Sequence, residues 1–586
     1  MSEGTYKSRL RDCFGKDWCD QVLTGDYRPA IPLSLQDVDI TAVLPTVFYM
    51  IRSVQRRGKG RFTSVFGADP TVGRLAADLA RTAHFKGFDA PPAQDVLSDL
   101  LLGFCLENRN RSERKTEPVR RALPTHYAAA WLDLPEKSVD LRYIPETLVA
   151  MLAGQSGPWV EPSAPDDPTP FPVGRRFQEN LLLKPFLRGV LPADLPRNLP
   201  DRFDEVTSVT LPEWLMIRLA ERLEQPPQSL GSREGGARIP NQQPLACVHN
   251  PLRDDLAVFI AAYGETMPRG VLIGMLESAL AVGLTTMLTS TAEALGCWAQ
   301  DGRLPQKQPR HCPLLLDASN GRDRDLARAA EKIFAEQSKR LECVPVILMA
   351  LRLLDYEAER RLPAHDPLPA ATPHGDARLT CLGDLLYARH PASQTVLAAL
   401  VSKAETVAAI WPEPSAKLAT ALRDRRPAAE IVLALAQVLT ELRGRKQAGK
   451  WFELLDSCAL CDDSRGLVIK SGTARSGRTR RDIRRGSLPD ATLDYLAHLW
   501  LAHQARSAAA TLKGFWMWLP SRYGFHVTDP PLPGVTLADA LLRNNQQYLE
   551  NRLRDLGLLV SVSDAEAMKR LQPRFPIKPT PHETVS

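Results

Sequence analysis

The chain has 586 residues, 44% hydrophobic and 24% charged, with 74 Lys and Arg against 68 Asp and Glu for a net charge of +6. That is enough apolar material for several cores and excludes wholesale disorder. So mild a charge over so many residues also excludes a protein that coats nucleic acid with its whole surface, so any polyanion contact has to be local.

Residues 1–155 read as an N-terminal helical domain. Its opening, MSEGTYKSRLRD, lacks the apolar region and cleavage site of a signal peptide, and the ten cysteines of the chain are scattered. A cytoplasmic protein with reduced thiols is expected. Residues 37–62 hold an apolar helical segment that ends in a basic cluster, Arg52, Arg56, Arg57, Lys59 and Arg61, with Gly58 and Gly60 marking a loop. Val96, Leu97, Leu100, Leu101 and Phe104 repeat at helical spacing and predict a second helix.

Residues 156–245 read as a proline-rich linker with a short helical module. The stretch 157–174 holds six of the 48 prolines and can build neither helix nor central strand. Leu215, Ile217, Leu219 and Leu223 place a helix over 211–225.

A helical domain is expected over 246–362. Two helices should break near Met267–Pro268, with Pro268 in the first turn of the second, and one or two more should follow over 331–361. The apolar stretch 271–288 is interrupted by Glu277 and small polar residues, which predicts a buried helix rather than a membrane span. A further helical domain is expected over 378–470.

The most lopsided stretch is KSGTARSGRTRRDIRR, with seven basic residues against Asp482 alone between Lys470 and Arg485. Residues 471–486 read as a basic arm, kept mobile by Gly472, Gly477 and Gly486 and offering Arg475, Arg478, Arg480, Arg481, Arg484 and Arg485 to phosphates. A solvated loop between domains explains the same letters. The tract has no aromatic residue, so base stacking is not implied.

Residues 487–586 then read as a winged-helix-like module: a helix with Ser487 as N-cap and Asp490 in its first turn, a polar helix stopped near Gly557, and a β-rich run LLVSVS. The polar helix carries Arg543, Asn544, Asn545, Gln546, Gln547 and Arg552, the residue types that read base edges, although Glu550 and Asp555 share it. The expected fold is thus mainly α, a multidomain helical protein with a C-terminal winged-helix-like module.

Candidate chemistry elsewhere is thin. GRKQAGK, 444–450, has the spacing of a phosphate loop, but Trp451 takes the hydroxyl position and the preceding residues look helical. Cys458 and Cys461 make one C-x-x-C, which supplies two zinc ligands where four are needed; His498 and His503 would have to come from the fold. In RHCPLLLDASNGRDRD, Asp317 ends a short predicted strand, near His311, Cys312 and Asp323; a catalytic carboxylate competes there with a turn and cap former. Glu566 and Lys569 give an E-x-x-K spacing at the start of a predicted helix. No G-x-S-x-G and no H-E-x-x-H is present. No cofactor, metal site or catalytic residue is predicted.

Three stretches carry a family resemblance: TAVLPTVFYMIRSVQRRGKGRF (41–62), FWMWLPSRYGFHV (515–527) and NRLRDLGLLVSVSDAEAMKRLQPRF (551–575). Together they resemble accessory subunits of bacterial anti-phage islands, encoded beside HerA/FtsK-like ATPases in methylation-associated defence and phosphorothioate-dependent restriction systems. The resemblance covers about a fifth of the chain through structural rather than catalytic motifs, and no catalytic residues carry over. It implies a non-catalytic DNA-associated adaptor in a multi-protein antiviral complex, with DNA, an ATPase and other defence subunits as partners and no membrane. A metal-dependent nuclease of the same system and a DNA-binding transcriptional regulator are the alternatives.

Overall fold

The computed structural model describes the chain except residues 1–2, 24, 36–37, 54, 59, 69, 109–115, 133–142, 154–179, 191–202, 204–208, 229–238, 307–311, 444, 460–464, 477–478, 505–509, 533–536, 562–568 and 579–586. At 3–5, 445–448, 474–476, 479–481 and 561 it describes the backbone alone.

The fold is mainly helical, as the periodicity predicts. The first part contains α1 (Glu3–Phe14), α2 (Lys16–Val22), α3 (Val43–Ser53), α4 (Phe62–Phe66), α5 (Val72–Ala80) and α6 (Pro91–Phe104), then β1 (Leu106–Asn108), β2 (Val119–Ala122) and α7 (Ile144–Ala153). α8 (Leu211–Glu221) lies inside the predicted 211–225 segment. Its start is specified locally: Glu213 accepts from the Thr210 backbone N–H at 2.8 Å, completing a capping box, and Pro212 sits in the first turn.

α9 (Leu252–Tyr263) and α10 (Arg269–Asp301) are separated where predicted, with Pro268 one residue earlier than expected, at the N-cap. α10 is 33 residues long and apolar on nearly every side, so it has to be enclosed on nearly every side. α9 comes so close that a Cβ on Gly283 would lie 2.5 Å from Leu252. Next come β3 (Leu314–Leu315), α11 (Arg324–Leu341) and α12 (Val344–Arg361). α13 (Asp376–Leu386), α14 (Ser393–Ile410), α15 (Ala416–Arg423), α16 (Ala428–Leu442) and α17 (Arg445–Ala459) follow. α10 packs against α9, α11, α12, α17 and α18 (Asp490–His503), which makes it the axis of the molecule.

Before α18 stand β4 (Val468–Ser476) and β5 (Thr479–Gly486); after it stand α19 (Leu512–Tyr523), β6 (Phe525–His526), α20 (Asp539–Asp555), β7 (Leu559–Ser561) and β8 (Lys569–Leu571). Among the described residues the strands form four two-stranded sheets, β1–β2, β4–β5 and β7–β8 antiparallel and β3–β6 parallel. One apolar cluster runs through the described residues from Tyr6 to Leu571. A smaller one joins Leu315, three residues of α11 and Leu542 of α20.

Three local expectations are corrected. The basic tract forms the antiparallel strands β4 and β5 rather than an arm without structure of its own. Ser487 does not cap α18; Pro489 holds that position, while the buried Ser487 hydroxyl donates to Asn320 Oδ1 at 3.0 Å. Lys569 lies on β8 rather than on a helix and donates to Glu550 at 2.8 Å, while Glu566 lies outside the described residues.

Candidate nucleic-acid interface

The hairpin is built from alternation. In β5 consecutive side chains leave opposite faces, so Arg484 and Arg485 cannot serve the same surface. Arg484 meets Asp456 of α17 in a bidentate pair, with Nε and Nη2 each 2.7 Å from a carboxylate oxygen. Lys470, its partner across the ladder, donates to the same carboxylate at 2.9 Å. Burial pulls the Arg484 guanidinium and the Lys470 ammonium down, but the hydrogen bonds to Asp456 together with the charges of Asp456 and Asp482 outweigh it, so both are raised.

Arg485, 8% exposed, faces the other way and donates from Nη1 to Asp317 Oδ2 at 2.8 Å. Asp317 is fully buried. It also accepts from the Ser319 backbone at 2.8 Å, the Ser319 hydroxyl at 2.6 Å and the Gly321 N–H at 2.9 Å. Gly321 has φ +87°, and a Cβ there would come 2.4 Å from Arg485, so the turn and the ion pair both exclude a side chain. Asp323 caps α11 by accepting from the Asp325 and Leu326 N–H groups. The carboxylates of this motif are therefore turn and cap formers, as the less eventful sequence reading had it.

Backbone hydrogen bonds seat the base of the hairpin. Leu314 N–H donates to Gly524 O and Leu316 N–H to His526 O, both at 2.9 Å, which fixes β3 to β6, and the next residue reaches the hairpin, Asp317 N–H donating to Gly486 O at 3.1 Å. A register shift between Lys470 and Gly472 sets off Ser471, whose hydroxyl donates to Glu331 of α11 at 2.6 Å. At the far end Arg475 faces Arg480 and Ser476 faces Thr479; Arg481 is paired with Ala474, and Arg478 lies outside the described residues.

α20 divides its polar residues in the same way. Asn545 is fully buried and joins three segments: its Oδ1 accepts from Ala318 N–H, and its Nδ2 donates to Leu316 O and Val527 O, all at 2.9 Å. Arg552 donates to Asp490 at 2.9 and 2.5 Å and to Ala318 O at 3.2 Å. Gln546 donates to Glu550 at 3.2 Å. Arg543, Asn544 and Gln547 are exposed, and Asn551 and Arg554 extend their helical stripe.

The ten predicted contact residues therefore separate. Arg484, Arg485 and Arg552 are withdrawn into internal ion pairs, because carboxylates already hold their guanidinium groups. Arg543, Asn544 and Gln547 face solvent, Arg475, Arg480 and Arg481 lie on the strands at the far end of the ladder, and Arg478 lies outside the described residues. Arg324, Arg328 and Lys332, exposed on α11 between the hairpin and α20, were missed. Their i, i+4, i+8 spacing was the available signal.

The other candidate chemistry resolves into structure. α17 runs helically from Arg445 through the GRKQAGK segment, and Trp451 is fully buried, so a helix stands where a phosphate loop would curl. Cys458 is buried and its thiol is pushed up to about 12 by burial; Cys461 and His311 lie outside the described residues. Cys312 is likewise pushed up to about 12, by burial first and then by Glu293. His498 is buried 3.0 Å from Asp494, and His503 lies 3.5 Å from Asp255, on separate clusters. Among the described residues no group of three or more His, Cys, Asp and Glu is arranged to hold a metal ion.

No curated protein and no solved structure matches the chain. A family model does, that of methylation-associated defense system protein MAD7, over residues 27–575. With nearly its whole length matched, the chain belongs to that family.

Proposed function

We propose that this protein is a cytoplasmic, non-catalytic subunit of a multi-protein methylation-associated defence assembly, and that it grips DNA by the backbone for a partner ATPase. The observation that carries the reading is the hairpin. Arg475, Arg480 and Arg481 lie at the far end of a two-stranded ladder, and Arg478 falls between its strands in the sequence. The base of that ladder is held by Asp317 and Asp456. A rigid base with a cationic tip reduces the ordering cost of meeting a phosphate chain, and each neutralised phosphate releases counterions.

α20 followed by the β7–β8 hairpin has the order of a recognition helix and wing, so we read residues 487–586 as winged-helix-like. Arg543, Asn544 and Gln547 would lie on the contacting face, with phosphate contacts from Arg543 and base-edge contacts from the amides.

The test is duplex binding at several salt concentrations. The R475A/R478A/R480A/R481A variant should bind more weakly and lose up to about 3–4 units of the slope of log affinity against log salt. An unchanged slope returns the tip to a solvated turn. Cleavage of DNA by the purified protein with magnesium, abolished by a single carboxylate substitution, would replace the adaptor reading with a nuclease. A sharp footprint at one operator would replace it with a regulator.

A further inference from the structure

α11 packs against β5 and against α20, the two elements to which the DNA contacts were assigned. Its core face is Leu326, Ala330, Ile333, Phe334, Gln337 and Leu341, all buried. The helical repeat puts Arg324, Arg328 and Lys332 on the opposite face, one above the next, and all three are exposed. Contacts fix the two flanks of this stripe. On one side Glu331 accepts from the Ser471 hydroxyl of β4 at 2.6 Å. On the other, Ala329 packs against the apolar cluster that joins Leu326, Ala330 and Ile333 to Leu542 of α20. The stripe therefore looks out between the hairpin and α20.

The chain's own carboxylates leave these cations available. Arg324 and Lys332 make no ion pair among the described residues, and neither does the exposed Arg543 on α20. Arg328 meets only Asp325, at 3.4 Å, with both side chains more than three-quarters exposed. An exposed pair of that kind is worth little and yields to a phosphate, which binds a guanidinium through two hydrogen bonds. The other carboxylates of α11 are committed: Asp323 caps the helix, Glu331 holds Ser471, and Glu336 meets Lys339 at 2.8 Å.

We infer that α11 is the floor of a single duplex-binding face, with Arg324, Arg328 and Lys332 following the backbone of one DNA strand between the hairpin and α20. The inference rests on the DNA reading above and adds to it a strand-following contact and the double-stranded form of the partner. Successive cations of the stripe stand ~6 Å apart along the helix axis, so it spans ~12 Å, the length of about three or four phosphates of a strand running beside it. No aromatic ring is exposed on the described residues of α11 or α20, so unpaired bases would find nothing to stack on, and a duplex is favoured over a single strand.

The experiment measures binding of the full chain to a mixed-sequence DNA duplex, and to one of its strands alone, at several salt concentrations. R324A/R328A/K332A should bind the duplex about tenfold more weakly and lose about 2–3 units of the slope of log affinity against log salt. R423A/R425A/R426A removes the same charge from exposed positions at the α15–α16 turn, outside this face, and should keep the native slope. Should the α11 variant melt early, judged by circular dichroism, R324Q/K332Q carries the same test with a loss of about 2 units. The inference is overturned if the α11 variants keep the native slope, if the control loses as much as they do, or if the single strand binds as tightly as the duplex. A native slope in the α11 variants beside a reduced slope in R475A/R478A/R480A/R481A leaves the hairpin reading standing alone. The reverse pattern leaves α11 standing alone, and a native chain that binds no duplex overturns both.

Discussion

Arg485 and Asp317 stand 168 residues apart in sequence and meet at 2.8 Å in the interior. This contact turns a basic tract into the root of a hairpin, because it ties β5 to the loop that starts α11. It also explains why Asp317 is a structural carboxylate: its oxygens are occupied by a turn and a guanidinium at once.

Breaking that pair from one side should be severe. D317A leaves a guanidinium buried without its partner, which costs about 3–5 kcal/mol. The measurement is denaturant unfolding together with hydrogen exchange of β4 and β5. Native-like protection of the hairpin in D317A would contradict the anchoring role.

Substitutions on α20 should divide by face. N545A strands Leu316 O, Val527 O and Ala318 N–H, at about 1–3 kcal/mol for each buried group left unpaired. R543A, N544A and Q547A should each change stability by less than about 0.5 kcal/mol while weakening duplex binding. A melting series alongside binding isotherms checks both; equal destabilisation on the two faces would count against this division.

His126 should make the protein acid-sensitive. It is fully buried, accepts from Ala128 N–H at Nδ1 and lies 3.0 Å from Arg188 O at Nε2, an arrangement for the neutral ring. Burial lowers its pKa from 6.5 to about 4. The unfolded chain then binds the proton more readily, so this stability is complete above about pH 6.5 and is lost as pH falls towards about 4, some ~3 kcal/mol in all. Unfolding of H126Q and native protein between those limits should differ in slope, the variant being flatter. Parallel curves would refute it.

Thiol reactivity should follow burial. Cys13 and Cys343 are exposed, whereas Cys105, Cys312 and Cys458 are buried, and burial pushes Cys312 and Cys458 up to about 12. A thiolate reagent at pH 8 should label the first two quickly and the other three only on unfolding, read by peptide mass mapping. Fast native labelling of Cys458 would be the contrary result.

Periodicity carried the helices. α8, the α9–α10 break, α11, α12 and the stop of α20 at Gly557 follow from apolar spacing, proline and glycine, which act within a turn or two. Burial of α10 was legible too, since a helix apolar all round has to be enclosed. The hairpin was harder. Its strands carry charge in place of an apolar alternation, which hid them.

By itself, the amino-acid order determined the helical class and the concentration of positive charge in two places, because propensity, caps and composition are local properties. Only the tertiary structure decided which of those charges remain available. Whether an arginine meets water, a phosphate or Asp317 depends on which distant carboxylate the fold brings within about 3 Å of it, and no local pattern encodes that distance.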